Sequence, residues 1–173
     1  AGPETRDGDS WGNRPVEQRV ASSWGLPGSY DPERRLTYWG IANPTPYTRL
    51  TRHGSPDGTA ITAPADLYSN STVALDIDTG ELSWYYQHLP GDDWDLDHPH
   101  ERTVLSTRLE PDPDLVKWIN PSIEPGEQRE VVASVGEGGG IWLLDRTTGE
   151  FLWSMPFPYD IPEFHIADIN VET

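Results

Sequence analysis

The chain has 173 residues, no cysteine and a formal net charge of −17. That length suits one domain with a sizeable core, while a mean hydropathy of −0.64 fits a soluble protein with no apolar run approaching a membrane span. The charge argues against nucleic acid and anionic membrane surfaces as partners, because phosphates are repelled, and the lack of cysteine excludes disulfides and thiolate metal sites.

The N-terminal "AGPETRDGDSWG" lacks the basic and then apolar layout of a signal peptide. The 17 Pro and 16 Gly interrupt helices, and the 8 Trp suit packing between sheets, so the composition points to an all-β fold of short strands and punctuated turns. In chain order, strands are predicted at 35–42 ("RLTYWGIA"), 71–78 ("STVALDID"), 81–88 ("ELSWYYQH"), 129–136 ("REVVASVG"), 140–146 ("GIWLLDR") and 150–156 ("EFLWSMP"). Hairpin turns are predicted at Asp78-Thr79-Gly80 and Thr147-Thr148-Gly149, with glycine where a positive φ is needed. Segments 45–66 and 108–127 read as long surface excursions, and no helix of ordinary length is predicted. "NST" at Asn70 matches a glycosylation acceptor, but its place reads as a strand start.

Two stretches repeat. "ALDIDTGELSW" (74–84) and "LLDRTTGEFLW" (143–153) share the frame Leu-Asp-x-x-Thr-Gly-Glu-x-x-Trp, placing Trp84 and Trp153 in matching positions, each read as pointing outward. Hairpins that close on a Trp and recur in this way suit the blades of a β-propeller, since one blade cannot bury both of its faces alone. A third, degenerate copy is read at 29–40 ("SYDPERRLTYWG"); a β-sandwich with chance hairpins is the alternative.

The most charged stretch is "PGDDWDLDHPH", residues 90–100. Asp92 and Asp93 read as turn formers after Pro90-Gly91. Asp95 and Asp97 are two apart, so an extended backbone projects them to one side. There they repel and raise a pKa unless a cation compensates; the alternative for Asp97 is a solvated loop acid. A zinc site of His98 and His100 with Asp95 or Asp97 is the rival reading. His53, His88 and His165 stand in unrelated contexts, which favours structural or exposed roles for His98 and His100.

The Trp-ended repeats, with "YWGIANPTPY" and "LYSNSTVALDIDTGELSWYYQHLPGDDWDLDH", resemble the quinoprotein alcohol dehydrogenases, from about Trp24 to the C-terminus. The resemblance implies an eight-bladed propeller, of which residues 1–173 form one piece of two to three blades, the ring being completed by another chain or by missing sequence. It implies a periplasmic oxidoreductase that converts a small alcohol to the aldehyde with pyrroloquinoline quinone and a metal ion, passing electrons to a c-type cytochrome. It makes Asp95 the catalytic base, Trp24 the floor on which the quinone stacks, and Asn43 and Asp95 metal ligands. Asp97, two positions after the catalytic acid, resembles the lanthanide-using branch of the family, with calcium as the alternative. Glu137 in "VGEGGGIWLLDR" stands where the family has a basic residue facing the quinone. That reversed charge is unfavourable toward an anionic cofactor, and points to the alternative of a non-catalytic propeller used for binding or assembly.

Overall fold

The computed structural model describes residues 9–54, 64–157 and 168–172. It contains two antiparallel sheets. The first runs β1 (Ser29–Asp31), β2 (Leu36–Gly40), β3 (Ser71–Asp76) and β4 (Leu82–Gln87) in sequence order. The second comprises β5 (Thr103–Leu109), β6 (Trp118–Ile119), β7 (Glu127–Gly136), β8 (Gly140–Asp145) and β9 (Phe151–Pro156), in the order β5-β7-β8-β9-β6. Among the described residues, a 3-10 turn at Val16–Gln18 precedes β1 and one short α-helix, α1 (Arg49–His53), lies between β2 and β3.

The repeated frame has a local physical cause. Asp76 accepts the backbone N–H groups of Asp78 and Thr79 at 2.8 and 2.9 Å, and Asp145 accepts those of Thr147 and Thr148 at 2.8 and 3.0 Å. Each aspartate thus folds the chain back on itself, and Gly80 and Gly149 complete the reversals at φ +73° and +77°. The hairpins then pair identically: Ala74 opposes Trp84, and Leu143 opposes Trp153, each with a register shift one residue later. These are two blades of a partial β-propeller, as the repeat implied.

The blades meet across an apolar layer. Leu36, Tyr38, Ala74 and Trp84 of the first sheet share one buried cluster with Trp118, Val132, Trp142, Leu144 and Phe151 of the second. At one edge of this layer, Arg34 bonds Asp31 at 3.0 Å and also pairs with Glu130, which Arg146 contacts at 3.0 Å. The Tyr38 hydroxyl donates to the Arg146 carbonyl at 2.9 Å.

Several sequence expectations are corrected. Residues 29–40 are the β1–β2 hairpin of the first blade rather than a third copy, because β2 pairs directly with β3. Trp84 projects from its own blade and docks against the next one, as the repeat implied, and is 5% exposed there. The stretch 108–127 is only partly a surface excursion: Leu109, Val116 and Trp118 are buried, and β6 adds an outer strand. The stretch 45–66 holds α1 and the buried Arg52 and Asp66. Strand β5 was not predicted, because its burial alternates too weakly to leave a period-2 signal in "TVLSTRL".

Candidate functional site

The acidic stretch 90–100 is clamped at both ends by buried arginines. At its start, α1 is capped by Thr48, whose side chain accepts from the Thr51 N–H, and ends at Gly54 with φ +74°. Those caps aim Arg52 inward, where its guanidinium lies 2.9 Å from Asp66 and donates to the Asp92 carbonyl at 2.6 Å and the Pro46 carbonyl at 2.8 Å. Neither Arg52 nor Asp66 has any side-chain exposure. His53 reaches the second oxygen of Asp66 at 2.7 Å. The neighbouring Arg49 donates from its side chain to the Gly91 carbonyl at 2.8 Å and from its backbone to Asp93. At the far end, Arg102, 2% exposed, donates to the carbonyls of His98 at 2.8 Å and His100, and to Thr72 Oγ1 at 2.8 Å. Its partners are neutral oxygens, and burial lowers its pKa to about 9.

Between the clamps, Asp92 acts as the predicted turn former, its two oxygens accepting the N–H groups of Trp94 and Leu96, each at 2.9 Å. The chain then enters the left-handed region at Asp95, φ +64°. This corrects the expectation of an extended segment: Asp95 stays exposed while Asp97 is 4% exposed, so alternation does not align them. They are brought together instead by Asn43. Its side-chain amide donates to Asp95 Oδ1, and its backbone N–H donates to Asp97 Oδ1 at 3.0 Å.

Glu137 completes the arrangement. Its N–H donates to the Asp97 carbonyl at 3.0 Å, and its carboxylate accepts the Asp97 N–H at 3.3 Å. The Asp97 carboxyl is pushed up to about 6, first by burial and then by the charges of Glu137, Asp95 and Asp92, against the lowering effect of the Asn43 N–H. A buried carboxyl faced by three other carboxylates is the electrostatic condition that a bound cation relieves.

The histidines behave differently from a zinc site. His98 is fully buried, stacked on His88 with centroids 4.7 Å apart and edge-on to Trp142 at 5.1 Å. Neither ring nitrogen of His98 has a hydrogen-bond partner among the described residues. Burial, with Arg102 and His100 nearby, lowers its pKa to about 3. Gly136 makes the room, since a Cβ there would collide with the imidazole. His98 is therefore a structural wedge between the blades. No group of three His, Asp or Glu side chains among the described residues is arranged to hold a metal ion by itself. His165 lies outside the described residues.

Trp24 is 57% exposed with φ +55°. The Ala42 N–H donates to the Ser22 carbonyl at 2.7 Å, which runs the Trp24 loop beside the segment carrying Asn43. Among the described residues no hydrogen bond joins Trp24 to Asn43, Asp95 or Asp97. The structure thus unites three of the four sequence-predicted site residues and links the fourth through backbone alone. The donor set suits a hard cation, and the open indole face of Trp24 suits a planar ring. The carboxylate of Glu137 does not suit direct contact with an anion. Sequence reasoning missed Arg52 and Arg102; the only signal for the first was the helix punctuation of Thr48 and Gly54.

Repeated four- and five-stranded blades, joined by a Trp-bearing hairpin and carrying an acidic cluster beside their junction, define a β-propeller segment. A family model described as the β-propeller domain of PQQ glucose/ethanol/alcohol dehydrogenases matches residues 1–159, and the chain belongs to this family. It is 30% identical over 154 residues to the quinoprotein alcohol dehydrogenase PedH of Pseudomonas putida, covering 89% of this chain and 21% of that protein. Among solved structures, it is similar to the quinohemoprotein alcohol dehydrogenase of Comamonas testosteroni, with a TM-score of 0.61 and 27% identity over 76% of this chain and 16% of that one. It is also similar to a europium-containing methanol dehydrogenase, with a TM-score of 0.57 and 25% identity over 83% of this chain and 22% of that one. The chain therefore spans about a fifth of the length of the proteins it matches.

Proposed function

We propose that this chain supplies the alcohol-binding and cation-binding edge of a periplasmic dehydrogenase that oxidises a small alcohol to its aldehyde and passes electrons to a c-type cytochrome. Asp95 is the base: its carboxylate is exposed to substrate and held by the Asn43 amide, and it takes up the hydroxyl proton of the alcohol. Asn43, Asp95 and Asp97 are the ligands this chain offers to a cation, the remainder coming from outside the described residues. Bound quinone and cation would supply the electron acceptor and the Lewis acid of the reaction. Trp24 offers the stacking surface for the quinone.

The observation that carries this reading is the Asn43 bridge, side chain to Asp95 and backbone to Asp97, with the Asp97 carboxyl raised beside it. The negative charge of Glu137 against Asp97 favours a trivalent lanthanide over calcium, because each added carboxylate stabilises a higher charge more. The same Glu137 also supports a second reading, a quinoprotein-like propeller that binds or assembles without catalysis. Dye reduction by the complete enzyme, loaded with the quinone and with either ion, separates the two. Asp95→Asn is expected to lower turnover roughly 10²–10⁴-fold, the range of general base catalysis, with quinone still bound; unchanged turnover would remove Asp95 from the reaction.

A further inference from the structure

The cavity beside α1 reverses the charge of the chain around it. Acidic residues outnumber Lys and Arg by 29 to 12 over the whole sequence. Yet a cavity of about 490 Å³ between residues 12–18 and α1 is lined by Arg14, Arg49, Arg52 and His53, with the amides of Asn13 and Gln18, and by no acidic side chain among the described residues. Cations gathered in this way repel one another unless an anion faces them.

What each group can offer follows from its bonds. Arg52 is saturated: Asp66 and the carbonyls of Pro46, Tyr47 and Asp92 take all of its N–H groups, and Asp66 neutralises its charge. Arg49 donates to the Gly91 carbonyl, a neutral oxygen, at 2.8 Å. Arg14 donates from Nε to the Gln18 carbonyl at 3.3 Å and from Nη1 to the carbonyls of Thr51 and Arg52 at 3.4 and 3.3 Å, which closes residues 12–18 onto α1. Among the described residues Arg14 has no ion pair, and its Nη2 has no hydrogen-bond partner. His53 holds Nε2 against Asp66 at 2.7 Å, while its Nδ1 faces Gly12 on the cavity wall. A neutral imidazole bonded in this way leaves Nδ1 as an acceptor.

The cavity thus presents a guanidinium with a donor to spare beside an imidazole acceptor. We propose that it binds hydrogen phosphate. That ion carries anionic oxygens for the Arg14 fork and for the charge of Arg49, and one O–H for His53 Nδ1. Sulfate has the same shape and charge without the O–H, a carboxylate lacks it as well, and a phosphate monoester loses it once fully ionised. The bound ion ties residues 12–18 to α1, whose Arg49 and Arg52 in turn anchor Gly91 and Asp92. It requires neither quinone nor cation, so it stands or falls independently of the proposed chemistry.

The test is calorimetric titration of the metal-free complete enzyme at mildly alkaline pH and constant ionic strength, with phosphate, sulfate, acetate and glycerol 3-phosphate in turn. Phosphate is expected to bind roughly ten- to a hundredfold more tightly than the other three, the worth of one hydrogen bond to a charged group. Arg14→Gln keeps an amide in place of the fork and loses the charge, and is expected to weaken phosphate by a similar factor. His53→Gln keeps a donor for Asp66 and removes the ring acceptor, and is expected to bring phosphate down to the level of sulfate. If His53→Gln loses its cooperative melt, the ratio of phosphate to sulfate in the native enzyme carries that part of the test. Phosphate that does not bind, or that binds Arg14→Gln as tightly as the native enzyme, overturns the proposal. Sulfate or the ester binding as tightly as phosphate overturns it equally, because the His53 acceptor would then have no part in recognition.

Discussion

The Trp84 indole lies so close over Gly149 that a Cβ there would stand 2.5 Å from its ring. The contact joins a strand of one blade to a turn of the next, and it explains why the repeated frame ends in Trp and contains Gly. Gly149 is needed twice, for its φ of +77° and for the space it leaves. Gly80 has the same backbone, φ +73°, without the indole. Alanine at Gly80 is therefore expected to cost only the left-handed backbone strain, about 1–2 kcal/mol. Alanine at Gly149 adds the overpacking of Trp84, about 1–3 kcal/mol more. Urea denaturation of both variants at low protein concentration checks the difference; equal losses would mean that Trp84 does not depend on this turn.

The stacked pair of His88 and His98 makes the blade junction sensitive to acid. Both pKa values are lowered by burial, His98 to about 3 and His88 well below its usual value. A depressed histidine leaves the unfolded chain binding more protons between about 3 and 6.5, so the stability it contributes is present above pH 6.5 and lost as pH falls below it. The slope is about 1.4 kcal/mol per pH unit for each histidine. The groups facing His98 are His88, Trp142, Arg102 and His100. His98→Phe keeps an aromatic ring in the stack and cannot take a proton. Denaturation midpoints between pH 4 and pH 7 are expected to fall less steeply in this variant than in the native chain; parallel slopes would exclude His98 as an acid-sensitive group.

The blades could be read from the sequence because their signals are local. Asp76, Gly80 and Trp84, or Asp145, Gly149 and Trp153, specify turn, reversal and docking within ten residues of chain. The pairing of Asn43 with Asp95 and Asp97 was foreseen only through the family resemblance, since the three meet across more than 50 residues and through a left-handed Asp95 that no alternation rule anticipates. The arginine clamps were invisible for a similar reason. Arg52 and Arg102 look like ordinary surface cations in a chain of this charge, and only tertiary structure reveals that each is buried against carbonyl oxygens. His98 read as exposed or structural, and its true role depends on a glycine, Gly136, that lies far along the sequence.

The Arg52–Asp66 pair should be costly to break. Removing one partner of a fully buried ion pair leaves the other charge unpaired, at about 3–5 kcal/mol. Arg52→Met is therefore expected to destabilise the chain by that amount, and to release the Asp92 carbonyl that anchors the acidic stretch. Asp66→Asn keeps the shape of the site and can still accept from Arg52, so a smaller loss is expected. The order of the two, measured by thermal or urea unfolding, is the check; a loss below 1 kcal/mol for Arg52→Met would show that the helix does not carry the loop.

In the proposed site, charge would decide which cation is held. Asp97, Asp95 and Glu137 each add one negative charge around Asn43, and Coulomb attraction to an ion scales with the ion's own charge. Removing one carboxylate therefore weakens a trivalent ion more than a divalent one, at the same ligand distance. Asp97→Ala is expected to reduce lanthanide affinity by a larger factor than calcium affinity, and Glu137→Gln to do the same more weakly, since Glu137 acts on the site through Asp97. Asn43→Ala removes a neutral donor and should weaken both ions by similar factors. Calorimetric titration of the metal-free complete enzyme and its variants with each ion reads these ratios directly. Equal factors for the two ions in Asp97→Ala would leave calcium as the better assignment, and no binding of either ion to the complete enzyme would return residues 90–100 to a solvated acidic loop.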